Sequence, residues 1–237
     1  MSVLNYNRLY LLQTKVLKLF NSVNSPFYLT GGTALGRFYL NHRFSADLDF
    51  FVNAHKNFKT EIIPFDHLIR NNFTIQNEGS LITDDFVRYL IVQDEVLLKI
   101  EFVNDVSYRY GLPLKNNIYQ VDTIRNILSN KLTWIIGRDE PKDFFDIISL
   151  AIGYTFNWLE LINEAKEKAL INEIDISKRM AEFPTEWLLQ IDWLNERPNN
   201  ENLKMQQEII SNDILLGKNN SLCKTGIGLN DAIINFT

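Results

Sequence analysis

A short apolar strand that runs straight into two glycines, followed by a second apolar strand carrying two acids, leaves a chain few folds to choose from. The stretch from Tyr28 to Val52, YLTGGTALGRFYLNHRFSADLDFFV, has this form. Phe27 to Thr30 predicts a strand, Gly31-Gly32 a turn, and Thr33 to about Asn41 a helix. Leu48 to Val52 predicts the second strand. Strand side chains alternate, so Asp47 and Asp49 project to one face while Leu48 and Phe50 turn to the core. Two carboxylates side by side repel. A divalent cation removes the conflict, and Mg²⁺ commonly binds through one or two carboxylates plus substrate phosphates. Taken alone, an Asp-x-Asp is better explained as a solvated strand end, and a Gly-Gly as a tight turn. Together they place a phosphate cradle beside a metal site, with Gly31 and Gly32 allowing close backbone approach and Thr33 adding a hydroxyl.

The remaining pattern is strands first and helices afterwards. Leu9, Leu12, Val16, Leu19, Phe20 and Val23 recur at helical spacing, and Asn24-Ser25-Pro26 ends that helix. Lys56 to Arg70 predicts a helix interrupted at Pro64. Phe86 to Val92 and Val96 to Val103 predict a hairpin. Beyond Gly111-Leu112-Pro113 the period becomes helical. Asp122 is the expected N-cap of a helix from Thr123 to about Ile136, and Asp139 and Pro141 open another to about Ala151. Trp158 to Leu170 and Lys178 to Met180 continue in helical pattern, and Glu196 to Glu201 is a polar break. The expected fold is α+β: a mixed β-sheet with flanking helices over residues 1–115, then a mainly helical domain over 116–237 that completes the cleft.

Three further groups carry chemistry. In Val96 to Val103, Leu98, Ile100 and Phe102 share one face, and Glu101 lies on the other with Lys99. Glu101 is a candidate third carboxylate, activating an attacking hydroxyl in two-metal chemistry, or a polar residue on a solvated face. Lys131 falls inside the apolar stripe of Ile124, Ile127, Leu128 and Ile135, with Arg138 seven residues on. Both cations are read as emerging over a cleft to neutralise a triphosphate, and because a charge in an apolar stripe is a stability liability, removing Lys131 is expected to cost little stability; a snorkelling side chain is the bland alternative. Asp143 and Asp146, three apart in the first turns of a helix, either suit its positive end or position Lys131 or the acceptor.

The segments GGTALGRFYLNHRFSADLDFF, KIEF and NKLTWIIGRDEPKDFFDI resemble the nucleotidyltransferase superfamily of the polymerase-beta type. Within it they resemble the AbiEii/AbiGii-type toxins of abortive-infection and toxin–antitoxin systems. The resemblance covers roughly residues 25–155. It implies a palm-like mixed sheet and Mg²⁺-dependent (or Mn²⁺-dependent) transfer of a nucleotide from an NTP. Gly31, Gly32 and Thr33 would match the phosphate-binding turn, and Asp47 and Asp49 the metal ligands, with Glu101 as the third where aspartate is common. Lys131 and Arg138 would match the lysine–arginine helix, with Lys142 beside them, and Asp143 and Asp146 the acidic motif that follows. It also implies an RNA acceptor such as a transfer-RNA 3′ end and a cognate antitoxin. A protein hydroxyl or a small molecule such as an antibiotic is the alternative acceptor, and a degenerate binding module the non-enzymatic alternative.

Composition bounds the partners. A net charge of −5 excludes a general polyanion binder, so RNA would need a local basic patch. Lys131, Arg138 and Lys142, with Arg37, His42 and Arg43 nearby, are the expected patch. One cysteine, Cys223, excludes an internal disulfide and suggests a reducing, cytoplasmic setting. The N-terminal residues lack a charged segment followed by an apolar one, so no signal peptide is expected, and no membrane span either.

Overall fold

A computed structural model describes residues 5–236 except Asn195, Arg197 and Lys224. Met1 to Leu4, part of the stretch read for a leader, and Arg197 of the polar break lie outside the described residues. The chain divides into two compact units, one of residues 1–34 and 45–122, the other of residues 35–44 and 123–237.

The first unit is built on a five-stranded sheet in the order β1-β2-β5-β4-β3. Its strands are β1 (Tyr28–Thr30), β2 (Leu48–Asn53), β3 (Thr74–Ile82), β4 (Phe86–Gln93) and β5 (Val96–Asp105). β2 and β5 run parallel, and the other pairs are antiparallel. The expected β4–β5 hairpin turns at Asp94 and Glu95, both at positive φ (49° and 66°), the twist that suits a two-residue hairpin loop. β3 escapes a reading by pattern because it is a mostly exposed, polar edge strand. Helix α1 (Tyr6–Phe20) buries Leu9, Leu12, Val16, Leu17 and Phe20. Helix α3 (Phe58–Asn72) buries Phe58, Ile62, Phe65 and Ile69. It runs through Pro64 rather than breaking there, because the proline lies on the exposed face and the buried stripe continues past it. The core is aromatic: Phe20 packs on Phe65 (ring centroids 4.8 Å apart), and Phe27 and Phe50 pack on Phe102 (5.1 and 5.2 Å).

Leu98, Ile100 and Phe102 point into that core with no exposure, so the alternation of β5 sends Lys99 and Glu101 to the opposite face. The far edge of β1 is covered by the segment before residue 122. Leu29 N–H donates to Gln120 O (3.0 Å), and Asp122 N–H donates to Leu29 O (2.8 Å).

The second unit is helical: α4 (Ile124–Gly137), α5 (Pro141–Gly153), α6 (Trp158–Lys166), α7 (Glu173–Glu182) and α8 (Asn200–Leu215). Thr123, not Asp122, caps α4, its side chain accepting from Asn126 N–H at 3.2 Å. Asp122 is instead fully buried and accepts from Thr30 Oγ1 and Arg109 Nη2, each at 2.7 Å. The core joins Leu132, Ile135, Ile147, Trp158, Leu161, Met180 and Ile210, and Phe144 stacks on Phe183 at 3.7 Å.

The expected helix after the glycines is two elements. The short α2 (Gly31–Leu35) passes into a π-helical turn (Gly36–Leu40), which Asn41 ends at φ 49°. Leu35 belongs to the helical unit's core, so the chain leaves the sheet unit at this point and returns at Ser45.

Candidate active site

The first cluster lies on the sheet unit. Gly31 sits at φ +69°, and a Cβ built on it would lie 2.8 Å from Asp49 Oδ2. The glycine is thus required twice, by its left-handed backbone and by the aspartate pressed against it. Gly31→Ala is expected to cost about 1–2 kcal/mol of stability. It should also displace Asp49, so activity per folded molecule should fall. Chemical denaturation and a transfer assay on the same preparation check both effects.

Thr30 pairs with Asp49 across β1–β2, and Asp49 pairs in register with Glu101 across β2–β5. Asp47 lies one residue before β2 begins. It is fixed by Thr33, which donates to the Asp47 carbonyl and hydrogen-bonds Ser45 Oγ at 2.9 Å. Thr33 is fully buried, so its hydroxyl pins this loop and is not offered to a phosphate, as the sequence suggested; Gly32 is the part-exposed residue of the turn.

Glu101 accepts from Arg88 Nε at 2.6 Å. The Lys99 ammonium lies 3.1 Å from Asp47 Oδ2 and 3.4 Å from Glu101 Oε2. Burial opposes the charge on Lys99, but Asp47, Glu101 and Asp49 together outweigh it and raise its pKa. Hard oxygen donors thus converge on a cation, which is the donor set a divalent ion takes. Among the described residues, no three His, Cys, Asp or Glu side chains form a metal cage. The residues fit a divalent ion at Asp47 and Asp49.

The second cluster lies wholly in the helical unit. Asp146 is fully buried on α5 and accepts four contacts: His42 Nε2 (2.7 Å), Arg43 Nε (2.6 Å), Arg43 Nη2 (2.7 Å) and Lys131 Nζ (2.7 Å). Asp143 accepts from Lys131 Nζ (2.6 Å) and from Arg138 Nε (2.7 Å) and Nη2 (2.6 Å). Lys131 is therefore not a cation emerging into solvent. Its place in the apolar stripe carries it inward, and both carboxylates meet it there. Arg43, expected in a basic patch, is likewise buried against Asp146, and Arg37 is buried with its guanidinium over the Phe236 ring at 4.4 Å. Arg138 keeps half of its side chain exposed, and Lys142 is part-exposed. Arg88 carried no signal in the sequence; Lys99 was read only as sharing the Glu101 face, and His42 and Arg43 only as members of a basic patch, not as partners of Asp146.

Burial opposes ionised Asp146, but Arg43 and Lys131 outweigh it and hold its pKa well below the carboxylate range. Burial pushes His42 down, so it stays neutral and donates through Nε2–H. Both folded-state shifts are downward, so both contributions are present at neutral pH and are lost on acidification. Melting temperature should start to fall as pH drops below about 6.5, where an unfolded histidine begins to take a proton. His42→Gln should flatten that first part of the pH–melting curve, measured by calorimetry between pH 8 and 5.

A mixed sheet carries paired aspartates beside a glycine turn, and the family match makes the class that of a nucleotidyltransferase. Residues 19–208 match the family described as nucleotidyl transferase AbiEii toxin, type IV toxin–antitoxin system, and the chain belongs to that family. Similar solved structures include JHP933 from Helicobacter pylori, with TM-score 0.52 and 22% identity, covering 89% of this chain and 90% of that one. A putative nucleotidyltransferase from H. pylori gives 0.53 and 21%, covering 89% and 93%. MenT4, a nucleotidyltransferase toxin from Mycobacterium tuberculosis H37Rv, gives 0.54 and 14%, covering 89% and 84%. At these identities the likeness is one of fold. Comparison with curated protein sequences gives no match. Among the described residues, no helix is long and apolar enough to cross a membrane.

Proposed function

We propose that the protein transfers a nucleotide from a nucleoside triphosphate to a hydroxyl at an RNA 3′ end, in the cytoplasm, using Mg²⁺ or Mn²⁺ held by Asp47 and Asp49. The observation that carries this reading is the convergence of Asp47 and Glu101 on one cation, with Asp49 beside Glu101 in register. When bound, the divalent ion supplies Lewis-acid stabilisation to the transferring phosphoryl oxygens. Gly31 and Gly32 admit the phosphates to the backbone, and Glu101 accepts the proton of the attacking hydroxyl. Its oxygen bonds to the α-phosphorus as pyrophosphate leaves. In the helical unit, Lys131 on α4 is held by Asp143 and Asp146 on α5, and this buried set acts as positioning residues for the helical core. Family membership implies a nucleotide substrate and a cognate antitoxin.

The burial of Arg37 and Arg43 leaves fewer cations for RNA than the sequence suggested, which favours a protein or small-molecule acceptor as the second reading. The test is incubation with each α-³²P-labelled NTP, Mg²⁺, total cell RNA and total cell protein. Label on RNA 3′ ends is expected. Label only on protein or on a small molecule moves the acceptor, and no label in any fraction leaves a binding module.

A further inference from the structure

Asp49 and Glu101 pair in register on β2 and β5, Asp47 lies just before β2, and one ammonium stands between Asp47 and Glu101. Lys99 and Glu101 are two apart on β5 and share the face opposite Ile100 and Phe102. Lys99 Nζ lies 3.1 Å from Asp47 and 3.4 Å from Glu101. Its side chain is about one-third exposed, as is that of Asp47, so its long stem can swing outward without disturbing the core. Arg88 pairs with Glu101 from the neighbouring strand, so a second cation borders the cluster. The ammonium already holds Asp47 Oδ2, an oxygen that a divalent ion at Asp47 and Asp49 would also take, and the two cannot both have it.

We propose that Lys99 is the resident counter-cation of this site: it holds Asp47 and Glu101 together without metal, and the polyphosphate of an incoming nucleotide draws it off so that metal and nucleotide enter together. The inference rests on the metal site proposed at Asp47 and Asp49. A triphosphate offers the displaced ammonium a dense set of anionic acceptors, whereas a bare divalent ion offers it none. Metal alone therefore meets a competitor already in place, and metal with nucleotide does not. Lys99 is thus a positioning residue that makes metal affinity depend on substrate.

The test measures Mn²⁺ affinity by paramagnetic resonance of the free ion. It uses the wild type, Lys99→Arg and Lys99→Met, with no nucleotide and with α,β-methylene analogues of the four NTPs. Without nucleotide, Lys99→Met should bind Mn²⁺ about tenfold tighter than wild type, the effect of removing one nearby charge worth about 1.4 kcal/mol. Lys99→Arg, which keeps the cation, should behave like wild type. Melting in EDTA should be lower for Lys99→Met than for wild type, and Mn²⁺ should raise it more. If wild type with an analogue binds Mn²⁺ but Lys99→Met alone binds no tighter than wild type, the role of Lys99 is overturned while the metal site stands. If neither binds Mn²⁺ with any analogue, both are overturned. Tightening that persists in Asp47→Asn/Lys99→Met lies elsewhere and also overturns the proposal.

Discussion

Asp146→Asn is expected to destabilise the protein by about 3–5 kcal/mol, the range for breaking a buried ion pair by removing one partner. Around Asp146 and Asp143 stand Arg43, Lys131 and Arg138, three cations against two carboxylates, with neutral His42 completing the shell. Neutralising Asp146 leaves three cations to one carboxylate, in a place where Lys131 and Arg43 have almost no solvent. Lys131→Met has the opposite effect on the balance, leaving two of each sign. It should cost markedly less, about 1–2 kcal/mol, despite removing two close contacts. Urea denaturation of both variants checks the ordering. Equal losses would show that this network is not governed by its charge balance. The sequence also suggested a small stability cost for Lys131, because a charge inside an apolar stripe is a liability; here the cause is the surplus of positive charge.

Asp49→Asn is expected to leave the fold intact and lower transfer about 1000-fold, equivalent to about 4 kcal/mol of lost transition-state stabilisation. The amide is close to the carboxylate in size, so the contact with Gly31 survives. The charge that would bind metal does not. The check pairs a single-turnover transfer assay with a melting curve. Activity within tenfold of wild type would remove Asp49 from the chemistry.

Patterns of period two and of Gly-Gly were enough to place β1, β2, β4 and β5 and the start of α2, because those elements bury one face or need a special backbone. β3 was illegible because nothing on it is buried deeply, and the π-helical turn because Leu35 to Phe44 joins a different core from the residues on either side. Alternation alone turns Asp49 and Glu101, with Lys99, away from the core, while Asp47 falls just before β2. The arginine partners could not be read that way. Arg88 reaches Glu101 from the neighbouring strand, and Arg43 reaches Asp146 from 103 residues away, so neither pairing has a local signal. Lys131 shows the limit most clearly: its place in an apolar stripe and a pairing with Asp143 or Asp146 could be read, but only the fold reveals that it is buried against both.

If Asp47 and Asp49 carry the metal used in nucleotide transfer, as proposed, its binding depends on both side chains. Calorimetric titration of Mn²⁺ into the protein with a bound α,β-methylene NTP measures this in wild type, Asp47→Asn and Asp49→Asn. Saturable binding is expected in wild type and at least tenfold weaker binding in each variant, with melting temperatures little changed. Equal Mn²⁺ affinity in all three proteins would remove the metal from these two aspartates.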